Sequence, residues 1–138
     1  TNATLLRAHL VGAVLYGTNL VGADLCDADL FGVKCSSTDT NFSNAKLFGA
    51  NLTSANLMHV NLNNTQLVGA NLSGADLTDA DLTDADLRGA LLCGTTLHFA
   101  KLAGANLTNA DLRGANLTGA NLLGHNIDEL KARGARID

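Results

Sequence analysis

A period of five residues constrains the fold of this chain more than any other feature of its sequence. From Ala3 to Gly124 the chain consists of twenty-four five-residue words interrupted once, and twenty-two of them have leucine at their centre, here called position i. A period of five fits neither the 3.6-residue repeat of a helix nor the two-residue repeat of a strand. The sequence therefore predicts a solenoid in which one short unit is repeated along an axis.

The positions within a word predict which side chains point inward and where the chain turns. Alanine occupies position i−2 in eighteen words, so each word offers one small and one large apolar residue for an interior. Thirteen of the fourteen glycines fall at i+2, and six further i+2 residues are Asn or Asp. These residues tolerate the positive φ that the third residue of a type II turn requires. Each word is therefore predicted to be a short extended segment followed by a corner.

The words resemble those of a known family. Residues 70–89, ANLSG ADLTD ADLTD ADLRG, are similar to the A(D/N)LXX consensus of the pentapeptide-repeat family, and the similarity covers residues 3–124. The resemblance implies an all-β solenoid, a right-handed quadrilateral β-helix. Twenty-four words make about six four-sided coils, and the residues after them predict a short C-terminal capping helix. With coils about 4.8 Å apart, such a rod is roughly 30 Å long.

The predicted repeat domain covers residues 1–125, with a two-residue insertion between Cys35 and Phe42, where Phe42 is expected to continue the column of Leu20. Because the chain begins inside the repeat phase and lacks an initiator methionine, we interpret it as an excised domain or a processed product. The predicted core contains the central residues of the words, among them Leu25, Leu30, Cys35, Phe42, Leu47, Leu72, Leu77, Leu82, Leu87 and Leu107.

Residues 126–138 are predicted to be a helical cap and tail. Asn126 has the features of a helix N-cap, and Glu129 occupies the third helical position, as in a capping box. Gly134 is suited to the C-terminal stop. Ile127 and Leu130 are expected to fold over the last leucines of the rod.

Apolar residues at the outward position i+1 are concentrated in the first coils. An apolar surface of this size on a protein usually marks a contact. We predict that it packs against a protein partner, an upstream domain, or a second copy in a homodimer. Its members are Leu6, Val11, Tyr16, Val21, Phe31, Phe48 and Val68. Cys26 shares the column of Leu6, Phe48 and Val68.

The composition argues against several classes of function. Charged residues are 16% of the chain and its net charge is −4, which predicts no nucleic-acid binding. Every apolar run is interrupted by Asn, Asp or Gly, so no membrane insertion is expected. No nucleophile has a base at a recognisable spacing, and neither a metal nor a cofactor site is predicted. The densest acidic run lies on successive faces of the coil: Asp76, Asp79, Asp81, Asp84 and Asp86.

These observations predict a non-catalytic structural or protein-interaction module, a rigid leucine-filled rod that docks a partner through its side walls. The alternative follows from the resemblance: family members that confer fluoroquinolone resistance mimic duplex DNA and bind DNA gyrase. That role requires negative charge along the whole rod, whereas lysines and arginines interrupt the acidic residues here. The three cysteines, an odd number, favour a reducing cytoplasm, with the thylakoid lumen or periplasm as alternatives.

Overall fold

The computed structural model describes residues 1–138, and its repeated unit is a single bridged residue at position i−1 of each word. This residue forms a parallel bridge with position i−1 of the word twenty residues later, as Asn71 does with Leu91 and Leu91 with Asp111. Four words therefore make one coil, and each coil pairs with the coils before and after it. No continuous strand forms, because a corner turns the chain immediately after each central residue.

Each corner is a turn closed by a hydrogen bond from the backbone N–H of residue i+3 to the carbonyl of residue i, except after Cys35, where the N–H of Thr40 donates to the carbonyl of Ser37. In the word of Leu72, the N–H of Ala75 donates this bond at 2.9 Å. Residue i+2 has a positive φ in every word except that of Ser37, as the third residue of a type II turn does. Arg7, Ser54, His59 and Phe99 adopt this conformation as well. Coil pairing therefore holds even ordinary side chains in a conformation that costs about 1 to 2 kcal/mol.

The interior is a ladder of alanine at i−2 and leucine at i. Burying each leucine contributes about 1.5 to 3 kcal/mol. Three threonines replace alanine in the buried ladder, and each hydroxyl donates to a backbone carbonyl, as Thr95 does to Leu72 at 2.8 Å. The residues predicted from sequence to form the core lie in this ladder, each 5% exposed or less: Leu25, Leu30, Cys35, Phe42, Leu47, Leu72, Leu77, Leu82, Leu87 and Leu107.

The two extra residues between Cys35 and Phe42 are absorbed at one corner. Bridges that cross them join residues twenty-two apart, including Asn19 with Asn41, and the twenty-residue spacing resumes at the next coil. Phe42 therefore stacks in the column of Leu20. The hydroxyl oxygen of Thr40 accepts the N–H of Gly17 at 3.0 Å. At the neighbouring corners a backbone carbonyl accepts the equivalent N–H, as that of Phe31 does from Gly12. Register is thus retained across the insertion.

The single helix, α1, spans Ile127–Ala132 and lies over the last coil. The side chain of Asn126 accepts the N–H of Glu129 at 3.2 Å, and Gly134 follows the helix with φ of 91°. Leu130 is buried, whereas Ile127 stays exposed, so Leu130 alone supplies the apolar cover that was expected of both. With six residues, α1 is too short to cross a bilayer.

After α1 the chain returns to the repeat, which differs from the tail predicted for this segment. Arg136 bridges Asn116, twenty residues earlier, and Ala135 is buried against the core. Ile137 packs against the same core. Residues 135–138 therefore form part of a twenty-fifth word. The chain returns in phase because residues 125–134 have the length of two words.

Candidate functional site

The residues predicted to form an interaction surface lie at the corners of the first four coils. Five of the seven are exposed: Leu6 (54%), Val11 (57%), Tyr16 (56%), Phe31 (45%) and Phe48 (37%). The other two, Val21 and Val68, are half-buried. Val68 lies in its column between Phe48 of the coil before and Arg88 of the coil after. We call these seven residues the N-terminal apolar surface.

Coil pairing gathers part of this surface into two adjacent columns. The bridges that join Thr4, Asp24, Lys46 and Gln66 in series fix the order of the corner residues that follow them. The bridge between His9 and Asp29 does the same on the next corner. The first column contains Leu6, Cys26, Phe48 and Val68, and the second contains Val11 and Phe31. Tyr16 and Val21 occupy the two remaining corners of the first coil, so apolar side chains surround the whole N-terminal end.

The backbone at this end forms an open edge. The N–H and C=O groups of Thr4, His9 and Val14 have no hydrogen-bond partner. One coil later, the equivalent N–H of Asp24 donates to the carbonyl of Ala3 at 2.9 Å. An unpaired row of this kind is a ready template for another backbone.

The interior of the rod is also incompletely covered at the open edge. Leu5, Leu10 and Leu15 are half-buried and pack against the core from one side only. The residues stacked directly above the first two, Leu25 and Leu30, are fully buried. The N-terminal apolar surface therefore encircles an end whose own core residues are partly accessible.

Sequence reasoning missed several exposed apolar side chains. Val14 lies on the first coil at position i−1, where most words have a polar residue, and that departure was a usable signal. Phe99 occupies an i+2 corner with φ of 55°, and its ring lies over Gly119, where a Cβ would come within 2.5 Å of ring carbons. Leu91 and Leu123 are exposed in the last two coils, away from the N-terminal end.

The acidic and amide residues at i−1 have a structural role that explains the (D/N) of each word. The Oδ1 atom of Asp76 accepts the backbone N–H of Thr78 at 3.0 Å, and Asn71 accepts that of Ser73 at 3.0 Å. The side chain thus holds the corner that follows it, as in an Asx turn. Such a bond uses an acceptor oxygen, so Asp and Asn serve equally.

Several carboxylates are also paired with cations. Asp86 lies 2.7 Å from Arg88, Asp81 lies 3.3 Å from Lys101, and a third pair joins Asp111 to Arg113 at 2.6 Å. The hydrogen bonds from Arg88 lower the pKa of Asp86. The Arg113 guanidinium holds the pKa of Asp111 well below its usual range. These carboxylates are therefore occupied by their neighbours.

No group of three or more His, Cys, Asp or Glu side chains is close enough to hold a metal ion. The three cysteines are unpaired thiols. Burial raises the pKa of Cys35 to about 12, and burial also raises the pKa of Cys93. Because the thiolate is the reactive form, neither environment activates its cysteine as a nucleophile.

The family model of pentapeptide repeats matches this chain at residues 1–32, 8–39, 38–74, 55–93, 70–109 and 97–129. No curated protein sequence matches it. Among solved structures, HetL, a pentapeptide repeat protein involved in heterocyst differentiation regulation from the cyanobacterium Nostoc sp. strain PCC 7120, is 32% identical. That match covers 87% of this chain and 62% of HetL, with a TM-score of 0.34.

Two further structures are similar. A pentapeptide repeat protein from the Arabidopsis thaliana thylakoid lumen is 32% identical over 73% of this chain and 66% of its own, with a TM-score of 0.44. Rfr23 from the cyanobacterium Cyanothece 51142 is 30% identical over 74% of this chain and 85% of its own, with a TM-score of 0.40. The chain thus spans less than two thirds of the length of HetL and of the Arabidopsis protein.

Proposed function

Because the chain belongs to the pentapeptide-repeat family, we propose that it is a non-catalytic structural or protein-interaction module that docks a protein partner or another domain through the N-terminal apolar surface. The rod itself is inferred to be the right-handed quadrilateral β-helix that proteins of this family form. Its leucine ladder supplies rigidity, and its corners present side chains in fixed columns. The proposed function is therefore to bind a partner rather than to catalyse a reaction.

The observation that carries this proposal is the coincidence of three features at one end. Leu6, Val11 and Tyr16 are each more than half exposed on one coil. The backbone edge of that coil is unpaired, and three of its four core leucines are half-buried, the exception being the buried Leu20. Exposed apolar patches with this degree of continuity mark contact sites in proteins. A partner that covers this end gains both apolar burial and backbone pairing.

The charge of this end defines the chemistry of the partner. Residues 1–22 contain no Asp or Glu, and their charged side chain, Arg7, lies 4.0 Å from Asp27 of the next coil. An apolar or mildly acidic surface would dock without like-charge repulsion. A strongly basic surface would find no carboxylate on the first coil to pair with.

The alternative role, mimicry of duplex DNA for gyrase, receives less support from the charges. Asp81, Asp86 and Asp111 are paired with Lys101, Arg88 and Arg113, which cancels much of the negative charge on the rod. Mimicry of DNA requires a phosphate-like potential that extends over the full length. The first coil, without a carboxylate, lacks such a potential entirely.

Solution mass and site-directed crosslinking test the proposal together. Light scattering across a concentration series is measured on the parent and on Leu6→Lys/Phe31→Glu. The matched control, Thr108→Lys/Ser73→Glu, makes the same charge changes later in the same two columns. Self-association that the first pair abolishes and the control preserves identifies a second copy as the partner.

If the parent is monomeric, a photoreactive phenylalanine analogue is placed at Phe31 or, as the control, at Ser73, which lies later in the same column. We expect a protein of the source organism to crosslink from Phe31 and not from Ser73. A monomer that gives the same products from both positions would mean that the N-terminal apolar surface is not a docking site.

A further inference from the structure

A groove separates α1 from the last coil at the opposite end of the rod. We call it the C-terminal slot, and its volume is about 510 Å³. One wall is residues 104–108, with Asn109 next along the same word, and the other is the chain that leaves the coil near His125 together with the inner side of α1. The volume lies within the range of pockets that hold small ligands or short peptide segments, about 300 to 1,000 Å³.

Backbone groups on the coil wall of the C-terminal slot have no partner. The N–H groups of Leu107 and Asn109 and the carbonyl of Ala105 make no hydrogen bond. In the word one coil earlier, the N–H of Leu87 donates to the carbonyl of Asn106 at 2.9 Å. The carbonyl of Ala85, which is equivalent to that of Ala105, accepts the N–H of Asn106 at 2.9 Å. Gly89 N–H donates in the same way to Thr108 at 3.0 Å. The coil-to-coil pattern thus stops here with three groups unpaired, and the C-terminal slot leaves space beside this word. The face of residues 120–124 ends in the same way, with the N–H groups of Leu122 and Gly124 and the carbonyl of Ala120 unpaired.

The path of the chain explains why this face stays open. Residues 125–134, which include α1, take the length of two words, so no later part of the chain pairs its backbone with residues 105–109. At the corner between this word and the next, the Arg133 guanidinium donates to the carbonyls of Leu107, at 2.7 Å, and of Ala110. Arg133 therefore replaces a neighbouring word there. No side chain does the same for Ala105 or for the N–H groups of Leu107 and Asn109.

We propose that the C-terminal slot binds an extended segment of another protein, which pairs in parallel with residues 105–109 and continues the coil-to-coil pairing. The first residue of the segment would donate its N–H to the carbonyl of Ala105, and its own carbonyl would accept the N–H of Leu107. Two residues later, a second carbonyl would accept from Asn109. This is strand addition to an open edge, in which backbone bonds supply affinity and side-chain fit supplies specificity.

The shape of the C-terminal slot restricts the side chains of that segment. Leu130 is buried over the end of the core, and Leu107 beside it is only 5% exposed. The residue of the segment that points inward must therefore be small, such as alanine or glycine. A repeat word with leucine at its centre does not meet this requirement, because Leu130 already fills the position. The site therefore selects against the chain's own words.

Amide hydrogen exchange measured by NMR tests this proposal on the full chain. The probe is the capped pentapeptide Ala-Asn-Ala-Thr-Gly, a word with alanine in place of the central leucine. In the free protein, the N–H groups of Leu107 and Asn109 are expected to exchange fast, while those of Leu87 and Gly89 exchange slowly. Addition of the peptide should shift and protect the first pair in a saturable manner and leave the second pair unchanged.

Two controls make the experiment specific. The same peptide with an N-methyl group on its asparagine loses the donor for Ala105 and should bind about tenfold more weakly, the effect of one hydrogen bond. A peptide with leucine restored at the centre should bind more weakly as well. Both controls leave the protein unaltered, so folding does not complicate the comparison.

Three results would overturn the proposal. In the first, the amides of Leu107 and Asn109 are already as protected as Leu87 and Gly89 in the free protein. In the second, the probe and its N-methyl form have equal effects or none. In the third, protection rises with protein concentration alone, which assigns the slot to a second copy. None of these outcomes depends on the N-terminal apolar surface.

Discussion

The two ends of this rod are built from the same five-residue word, but they finish differently. At the N-terminal end, the edge of the first coil is unpaired and Leu10 is half-buried. At the C-terminal end, α1 and the returning word cover the last coils, so that Leu112 and Leu117 are fully buried. The difference teaches that the repeat determines the paired coils of such a rod, whereas the cover over its last coil depends on residues that depart from the repeat.

The covering of the C-terminal end is also uneven. Leu130, Arg133 and the word at residues 135–138 each cover a separate part of the last coil. The word of residues 105–109 remains beside the C-terminal slot. A solenoid end can therefore be covered over part of its core and still offer unpaired backbone edges.

Truncation of one leucine at each end provides the largest expected contrast. Leu112→Ala leaves a cavity in a fully covered layer and should reduce the free energy of unfolding by about 2 to 5 kcal/mol. Leu10→Ala removes a half-buried side chain and should cost about 1 kcal/mol. Urea unfolding of both variants measures the difference. Equal costs would mean that the N-terminal end is covered in solution and that the contrast between the ends is false.

Replacement of the cation that covers the C-terminal end should have an intermediate effect. Arg133→Met keeps the length of the side chain and removes its bonds to the carbonyls of Leu107 and Ala110. Because hydrogen bonds to charged groups contribute about 1.5 to 3 kcal/mol, the unfolding free energy should fall by that amount. Lys131→Met, an exposed change in the same helix, is the control and should stay within about 0.5 kcal/mol of the parent. Thermal unfolding that does not separate the two variants would assign no stabilising role to Arg133.

The smallest expected effect is a dependence of the unfolding free energy on pH, which arises from carboxylates in the later coils. The folded pKa of Asp111 is depressed by Arg113, whereas residues 1–22 have no carboxylate side chain. Asp111→Asn keeps the Oδ1 acceptor and removes the charge. The parent should be more stable than the variant above the unfolded pKa of about 3.9. This advantage is lost as the pH falls through the lower folded pKa.

Unfolding curves of the parent and Asp111→Asn at a series of pH values measure this difference. In an Arg113→Met background, the effect of Asp111→Asn should vary less with pH, because the largest cause of the lowered pKa of Asp111 is absent while its hydrogen bonds with Cys93 and with the backbone N–H of residue 113 remain. A difference that is constant with pH in both backgrounds would show that the ion pair does not contribute to stability.

The layers of the rod could be predicted from sequence because their causes are local. The size of the side chain at i, the alanine at i−2 and the residue that accepts positive φ at i+2 are all visible within one word. The pairing of Asn71 with Leu91 then follows from the count of residues alone. Even the column of Phe42 above Leu20 could be expected across the insertion, because the words on both sides keep their phase.

The C-terminal return was missed although its signals were present. Gly134 was interpreted as a helix stop outside the repeat, yet it lies twenty residues after Gly114 and its carbonyl accepts the N–H of that residue at 3.0 Å. Ala135 and Ile137 likewise follow Ala115 and Leu117 by twenty residues. The helix at 127–132 concealed this phase, because a helical segment has no five-residue pattern of its own.

The features of the candidate sites that depend on three dimensions could not be predicted. Arg133 covers carbonyls more than twenty residues away in sequence, and no local pattern marks such a contact. The half-burial of Val21 and Val68 depends on neighbours one coil away rather than on their own words. The C-terminal slot exists because one helix displaces two words, which only the folded chain reveals.

The twenty-residue coil has a consequence for how genes of this kind can change. Each coil pairs with its immediate neighbours, and the chain is in phase before and after α1. In-frame duplication or loss of the codons for one whole coil, such as residues 70–89, would therefore lengthen or shorten the rod by about 4.8 Å. Such an event would leave both terminal surfaces unaltered. Length and end chemistry can thus be inherited and selected as separate traits.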